Sequence, residues 1–386
     1  MNPNLLLVIL SLFTWGVGEG MFIYFQPLYL EYWGAPPLLI GAVLGANGVA
    51  MALAQAPAGY LADHWGNRPV MWISWITGTL SAIGMALAHN MNGFILSMLL
   101  YGLSSFVTAP MNSYITAVRG RWSNQRALTL ASAMFHSGAV IGPLLGGFVG
   151  ERFGLPTIYT CAAGFFVVST LIILLIKKQE VVHSIEAGQR PVKLLHNPRF
   201  IAFLGIILAI LFVTYLPQPL ASNFLQNERG LSLESIGRLG AVASFGNAFF
   251  ALVLGGMPAM IGLFIGQALV GLFALLMWQG DHFLVFALGY FFLGGYRLAR
   301  SMLLALCRPM VNAAELGLAY GLIETMNAVA VILAPPVAGL LYNANPASIF
   351  ATSAGLTVLA LALSILVIPS LHASSQAALR AAQAKD

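Results

Sequence analysis

The sequence predicts an all-α membrane protein with twelve transmembrane helices in two pseudo-symmetric six-helix bundles. Three observations carry this prediction: a scarcity of charge, twelve apolar stretches of spanning length, and an internal repeat. Of the 386 residues, 59% are hydrophobic and 8% are charged. Because soluble domains carry about 25% charged residues, this chain lacks the polar surface of a soluble enzyme, a nucleic-acid-binding protein or a disordered chain. A bundle of apolar helices in a bilayer is the class that remains.

The apolar stretches set the predicted domain organisation. A helix needs about 20 apolar residues to cross a bilayer, and backbone polar groups have no water partners there. Long polar sequence at 177–198 separates the first six stretches from the last six. We therefore predict an N-terminal bundle over 1–176, a cytoplasmic linker over 177–198, a C-terminal bundle over 199–369 and a cytoplasmic tail over 370–386. The predicted spans 1 to 12 are 5–30, 38–62, 69–89, 93–117, 127–150, 156–176, 199–225, 232–256, 259–279, 283–307, 317–342 and 346–369.

Basic residues predict the orientation of these spans. Cytoplasmic loops are enriched in Lys and Arg. With the N-terminus inside, three basic residues, Arg152, Arg229 and Arg238, fall outside, and Arg297 and Arg300 lie within a span. We therefore expect both termini in the cytoplasm and the protein in the cell membrane. The remaining twelve of the seventeen basic residues fall on cytoplasmic segments, and they are Arg68, Arg119, Arg121, Arg126, Lys177, Lys178, Arg190, Lys193, Arg199, Arg308, Arg380 and Lys385.

The two halves of the sequence resemble each other at corresponding spans. Gln26-Pro27-Leu28 in span 1 corresponds to Gln218-Pro219-Leu220 in span 7. A stretch of small residues and proline at 142–147 in span 5 corresponds to 334–339 in span 11. Parallel repeats of six spans are a known transporter plan, with the substrate site at the bilayer midplane between the halves.

A polar turn follows span 2 and carries the first motif. It contains Gly59, Asp63, Gly66 and Arg68. Glycine permits a tight turn, and a carboxylate there can cap a helix N-terminus and pair with an arginine. We predict a latch that holds one conformation. The spacing resembles the loop signature of the major facilitator superfamily, which implies the fold described above and a gating role for these four residues.

A second motif lies in span 5, where Gly138, Gly142, Pro143, Gly146 and Gly147 recur on a helical spacing. Small residues let helix backbones approach closely, and proline kinks the helix. The string resembles the signature of proton-coupled exporters within that superfamily; plain helix packing is the alternative. The sequence also departs from the family pattern. The second half has no charged loop signature at 255–258, and Met98 stands where such exporters often carry an arginine.

Four charges inside the spans are the candidate proton and substrate residues, because charge in the bilayer is costly and tends to face a cavity. At the rise of an α-helix, Glu19 lies ~20 Å and Arg297 ~16 Å from the cytoplasmic ends of their spans. Arg300 and Glu324 share a depth of ~12 Å and ~11 Å on consecutive spans. The family resemblance implies that spans 1, 4, 7 and 10 line the cavity, so we expect Glu19 to face Arg297. The alternative to a proton and substrate site is that all four charged residues form structural ion pairs.

Uncharged polar and aromatic residues complete the candidate site. His136 in span 5 fits a proton relay or a buried, hydrogen-bonded histidine. Asn327 stands one helical turn from Glu324 and is a candidate substrate contact. Three further amides fit either substrate binding or helix contacts: Asn47, Gln55 and Asn112. Four aromatic residues near Glu19 fit either an amphiphile pocket or a lipid-facing surface: Trp15, Phe22, Tyr24 and Phe25.

These features together predict a secondary active transporter rather than an enzyme. The sequence has no Gly-x-x-x-x-Gly-Lys-Ser/Thr string, so we expect no ATP-driven step by this chain. We expect proton-coupled export of a small organic or amphiphilic molecule by alternating access. The alternatives are transport of an organic anion or sugar-like metabolite, and lipid flipping on the same fold. The expected partners are the substrate, protons and the bilayer, with no nucleic acid, metal or cofactor, and the chain is expected to be a monomer driven by a proton gradient.

Overall fold

The computed structural model describes residues 2–55, 58–178, 197–311 and 315–383, and every regular element within these ranges is a helix. Short 3-10 turns cover Ser104–Val107 and Arg308–Met310. The α-helices are α1 (Pro3–Ile23), α2 (Gln26–Tyr32), α3 (Pro37–Gln55), α4 (Ala58–Trp65), α5 (Asn67–Ala86), α6 (Met91–Leu103), α7 (Thr108–Val118), α8 (Asn124–Phe153), α9 (Leu155–Leu174), α10 (Pro198–Tyr215), α11 (Ala221–Asn227), α12 (Leu233–Leu254), α13 (Ala259–Gln279), α14 (Phe283–Phe292), α15 (Gly295–Cys307), α16 (Leu316–Ala344) and α17 (Ser348–Gln383).

Each of the twelve predicted spans coincides with one helix or with two consecutive helices. Ten helices in the described ranges are long and apolar enough to cross a membrane, and eleven if the bent pair 91–107 and 110–118 counts as one span. The tenth predicted span does not meet that length, because α14 and α15 are separate short helices and α15 carries Arg297 and Arg300. The prediction of an all-helical membrane protein is confirmed.

The helices begin where the sequence supplies capping groups. The side chains of Asn2, Asn90 and Ser123 each accept a backbone N–H from the first turn of α1, α6 and α8. Such acceptors satisfy amides that have no partner within the helix. Gly66 and Gly154 precede α5 and α9 with φ of 84° and 85°, a region that glycine adopts without steric cost.

Internal contacts divide the chain into two units, Met1–Ile185 with Ser222–Ser244, and Glu186–Ala221 with Phe245–Asp386. In the first unit α1 packs against α8 and α9, and α5 packs against α9. In the second unit α13 packs against α15 and α17, and α10 packs against α16. Of the predicted linker, 179–196 lies outside the described residues, so the predicted division into two bundles stays a prediction.

The last helix is longer than the predicted span. The predicted span 12 ends at 369, whereas α17 continues through Pro369 to Gln383. Its last residues are rich in alanine and glutamine, which favour helix irrespective of burial. An apolar pattern reports only the part of a helix that lies in lipid, so the helix exceeds the span.

Candidate functional site

Within the described ranges, interruptions are visible in the first, fourth, seventh and tenth predicted spans. Span 1 breaks between Ile23 and Gln26, and span 4 passes through the 3-10 turn at Ser104–Val107. In the second unit, α10 ends at Tyr215 before a Pro-Gln-Pro segment, and α14 ends just before Gly294. Irregular backbone at membrane depth is tolerated where it is buried in protein or lines a cavity. Broken helices mark residues that can line a cavity, and two of these spans, the first and the fourth, line the cavity described next.

The first unit contains a cavity of about 200 Å³. Its lining is mostly apolar and aromatic, with a few hydroxyl groups and one carboxylate, that of Glu19. The residues that line it are Leu12, Trp15, Glu19, Met51, Ser74, Trp75, Tyr101, Gly102, Ser104, Ser105, Val107, Thr108, Met111 and Phe135. This combination suits an organic molecule with an apolar body and a polar or charged group.

Glu19 is held by a tyrosine that the sequence did not single out as a site residue. It lies on α1 and is half-buried. The Tyr101 hydroxyl, on α6, donates a hydrogen bond to the Glu19 carboxylate. The Tyr101 ring in turn stacks on Trp15, with 6.3 Å between ring centroids. The carboxylate is therefore oriented by a partner that is itself fixed by an aromatic contact. In the sequence, Tyr101 in span 4 corresponds to Tyr290 in span 10 of the internal repeat, and this correspondence is its one distinguishing feature.

Of the four aromatic residues near Glu19, Trp15 alone lines this cavity. Phe22 and Phe25 are fully buried among neighbouring helices. Tyr24 lies beside Gly240, whose added Cβ would stand 2.7 Å from the tyrosine ring. Trp15 and Glu19 are four residues apart and so share a face of α1, whereas Tyr24 and Phe25 lie beyond the end of that helix.

The second unit holds a polar cluster on α10, α15 and α16. The Arg300 guanidinium donates to the Glu324 carboxylate, and the two side chains remain 39% and 37% exposed. The Tyr296 hydroxyl donates to Asn327 Oδ1 at 2.7 Å. The Tyr296 ring also lies 5.5 Å from that of Tyr215. Arg300 and Glu324, which are predicted at matched depth, are therefore in contact. No feature of the sequence indicated that Tyr296 and Tyr215 belong to the same cluster.

Arg297 differs from Arg300 in its surroundings. Its side chain is exposed, and it lies close enough to Tyr296 to act on that residue electrostatically. Glu19 belongs to the first unit and Arg297 to the second. Their predicted approach across a cavity therefore stays a prediction.

The remaining candidates are divided between the cavity wall and the surface. His136 is half-buried, and its ring lies 5.3 Å from that of Phe135, a cavity residue. Asn47 is half-buried against Gly102, whose added Cβ would stand 2.4 Å from Asn47 Oδ1. That oxygen has no hydrogen-bond partner among the described residues. Gln55 and Asn112 are exposed.

The predicted latch lies at the junction of α4 and α5. Gly59 and Asp63 are in α4, but the Asp63 side chain lies outside the described part of the structure, so its partner stays a prediction. Gly66 makes the turn with a φ of 84°. The Arg68 guanidinium lies 3.9 Å above the centroid of the Trp72 ring, a cation–π geometry.

The span 5 motif packs α8 against two different segments. A Cβ added at Gly138, Gly142 or Gly146 would come within 2.4 Å of α1 backbone atoms. On another face, an added Cβ at Gly147 would stand 2.8 Å from the Leu233 carbonyl oxygen, and one at Gly237 would stand 2.3 Å from that of Pro143. These residues therefore bring backbones into direct contact.

Comparison with known proteins gives one family. The model of the Major Facilitator Superfamily matches residues 7–261 and 218–385. The multi-drug resistance efflux pump PmrA of Streptococcus pneumoniae is 25% identical over 46% of this chain and 46% of its own. The quinolone resistance protein NorA of Staphylococcus aureus is 26% identical over 45% of this chain and 46% of its own. The chain spans about half the length of the curated relatives it matches.

Solved structures show the same fold at low sequence identity. The nucleoside transporter NupG superposes with a TM-score of 0.83 at 16% identity, covering 94% of this chain and 99% of that one. The peptide transporter POT superposes with a TM-score of 0.79 at 14% identity, covering 96% and 95%. The family match, the apolar helices and this shared fold agree: the chain belongs to the Major Facilitator Superfamily, and it is a multi-pass membrane transporter rather than an enzyme.

Proposed function

We propose that this transporter uses the proton gradient to export a small amphiphilic organic molecule by alternating access. It acts as a monomer in the cell membrane, with both termini in the cytoplasm, and needs no bound cofactor. The names of two relatives, a multi-drug resistance efflux pump and a quinolone resistance protein, support export of organic molecules. Because the similarity covers about half of each relative, direction and substrate class rest mainly on the site.

The observation that carries the proposal is Glu19 in the aromatic cavity. A carboxylate inside a membrane bundle is costly unless it has a function or a partner. Here it accepts a hydrogen bond from Tyr101 and faces a cavity also lined by Trp15 and Trp75. A carboxylate can hold either a proton or a cationic group, and aromatic faces bind flat apolar groups and cations. Competition between proton and substrate at one carboxylate is a simple basis for exchange.

Coupling requires a carboxylate whose ionisation depends on conformation, and we propose Glu19 for that role. Desolvation and a nearby arginine act in opposite directions on the pKa of any carboxylate. If the halves move during transport, the balance at Glu19 changes with conformation. We place Arg297 as the arginine that alters this balance, and Arg300–Glu324 as a standing pair beside it on α15 and α16.

The test uses proteoliposomes that contain a pH-sensitive dye, with ethidium as the amphiphilic cation. Adding ethidium should collapse an imposed proton gradient with the native protein. The Glu19→Gln variant should lose this proton movement and proton-driven accumulation while retaining downhill ethidium exchange. Glu228→Gln, which alters an exposed carboxylate, is the matched control. Proton-driven transport at the native rate in Glu19→Gln would remove Glu19 from the mechanism and transfer its role to Glu324 or His136.

One observation favours a second candidate, an organic anion or sugar-like metabolite. The Arg297 side chain is exposed at α15, and arginine binds carboxylates and phosphates through a planar pair of donors. Uptake of a radiolabelled organic anion that rises with expression and is lost in Arg297→Ala would favour this candidate over export.

A further inference from the structure

Two carboxylates lie at the end of the spans opposite the Asp63–Arg68 turn. Glu31 is in the last turn of α2, and Glu151 is in the last turn of α8. Neither residue stands out in the sequence, since each is a single acidic residue near the end of a span. Glu31 contacts Asn223, 192 positions further along the chain, and Glu151 contacts Leu233, 82 positions further along.

Glu31 binds two amide side chains of α11. Asn223 Nδ2 donates to Glu31 Oε2 at 2.5 Å, and Asn227 Nδ2 donates to Glu31 Oε1 at 2.7 Å. Asn223 is only 2% exposed and also donates to the Pro27 carbonyl at 3.3 Å. Each carboxylate oxygen thus accepts one charge-assisted hydrogen bond, which is stronger than a neutral one.

Glu151 caps the N-terminus of α12. Its Oε2 atom accepts the backbone N–H groups of Leu233 at 2.8 Å and Glu234 at 3.4 Å. The first amides of a helix have no partner within the helix, and its dipole favours negative charge there. The Glu234 side chain pairs with Arg238 in the next turn, which partly offsets repulsion between the two acidic groups.

Close backbone contacts accompany the hydrogen bonds of Glu31 and Glu151. Gly147 lies against Leu233, and Gly237 lies against the Pro143 carbonyl, each with no space for a Cβ. Added side chains at these glycines would meet backbone atoms rather than flexible groups. Van der Waals contact at these glycines therefore depends on close approach of the two backbones. Glu31 and Glu151 form their hydrogen bonds beside these contacts and hold the backbones together.

We infer that Glu31 and Glu151 are gate residues on this side of the transporter, and that their hydrogen bonds to residues 222–234 must break for the site to open there. We call these two residues and their partners Asn223, Asn227 and Leu233 the far-side clasp. The inference rests on the proposed alternating access, because two alternately open sides need a closure at each end. It gives positioning roles to two residues that touch neither proton nor substrate site.

The test measures how fast a buried cysteine beside the clasp reacts with N-ethylmaleimide. Ser222 is 5% exposed and adjacent to Asn223, so Ser222→Cys reports opening. Cys161 is replaced by serine, and buried Cys307 is kept as a reporter of global unfolding. The full-length protein is labelled in lipid nanodiscs, where both sides are accessible, and each cysteine is followed by mass spectrometry.

Glu31→Ala and Glu151→Ala should each speed labelling at position 222 at least threefold, with the rate at Cys307 unchanged. Glu228→Gln, an exposed carboxylate in the same region, should leave both rates unchanged. Equal rates at position 222 in all variants would overturn the inference. Where an alanine variant does not purify as a folded protein, Glu31→Gln and Glu151→Gln take its place, with a smaller increase expected and the same overturning result.

This experiment is independent of the exported substrate, because it contains none. Failure of the ethidium assay would leave the labelling result intact, and unchanged labelling would leave proton-coupled export intact. A parallel rise at both position 222 and Cys307 would assign the carboxylates a purely structural role and would overturn the gate.

Discussion

Arg300 donates a hydrogen bond to Glu324, yet both side chains of this intramembrane pair keep more than a third of their surface exposed. Helical rise places the two residues at a common depth on consecutive spans. Partial exposure lowers the cost of leaving either charge without its partner, because the free energy of burying a charge scales with the loss of its solvation. We therefore expect the pair to contribute less to stability than a fully buried pair would.

Breaking this ion pair should destabilise the protein modestly. We expect Glu324→Gln to lower the free energy of unfolding by about 1 kcal/mol, between the values for exposed and fully buried pairs. Thermal unfolding in detergent measures the change. The double variant Arg300→Gln/Glu324→Gln should recover most of the loss, since neither charge is then unpaired. A single variant that loses several kcal/mol would show that the pair is effectively buried.

Removing the Tyr101 hydroxyl should alter coupling without altering the fold. Tyr101→Phe keeps the ring contact with Trp15 and removes the hydrogen bond to Glu19. We expect the pH profile of ethidium transport to shift while protein yield and thermal stability stay near native values. Tyr159→Phe is the matched control, because it also removes a buried tyrosine hydroxyl, one with no hydrogen-bond partner among the described residues. An unchanged pH profile in Tyr101→Phe would separate Tyr101 from proton coupling.

Adding one methyl group to the α1–α8 contact should destabilise the first unit. At Gly142 a Cβ would stand 2.4 Å from the Val17 carbonyl oxygen and 2.7 Å from Gly20 Cα. Gly142→Ala should therefore cost about 2 kcal/mol or more, since backbone atoms cannot move aside cheaply. Gly164→Ala, where an added Cβ meets nothing within 4 Å, should be neutral or slightly stabilising. Equal melting temperatures for the two variants would contradict the packing described here.

The turn between α4 and α5 should govern transport rate rather than stability. Asp63→Asn should cripple ethidium transport with near-normal expression, because it removes a latch and not a core contact. Arg68→Lys should reduce transport less severely, since lysine keeps the charge above Trp72 but loses the planar guanidinium. Transport and yield are measured together for each variant. Transport at the native rate by Asp63→Asn would show that the motif is a structural turn without a gating role.

Local pattern was sufficient to predict the helices and the places where they meet closely. Apolar runs of spanning length predicted the positions of the helices, because a bilayer imposes one length and one backbone solution on the chain. The tenth span differs, since it consists of two short helices. The glycine spacing in span 5 predicted close helix contact, and the structure places those glycines against α1. Matched depths on consecutive spans indicated the Arg300–Glu324 pair, since depth follows directly from helical rise.

The choice of partners across the fold was decided only by the tertiary structure. Tyr101 lies 82 positions from Glu19 (101 minus 19), and Asn223 lies 192 positions from Glu31. Neither pair has a spacing that marks it, because helical periodicity assigns a residue to a face but not to a neighbour. Which faces meet depends on how α1 lies near α6 and how α2 packs against α11. The sequence by itself therefore determined the membrane class, the spans and the charges within them, whereas the cavity around Glu19 and the far-side clasp exist only through packing.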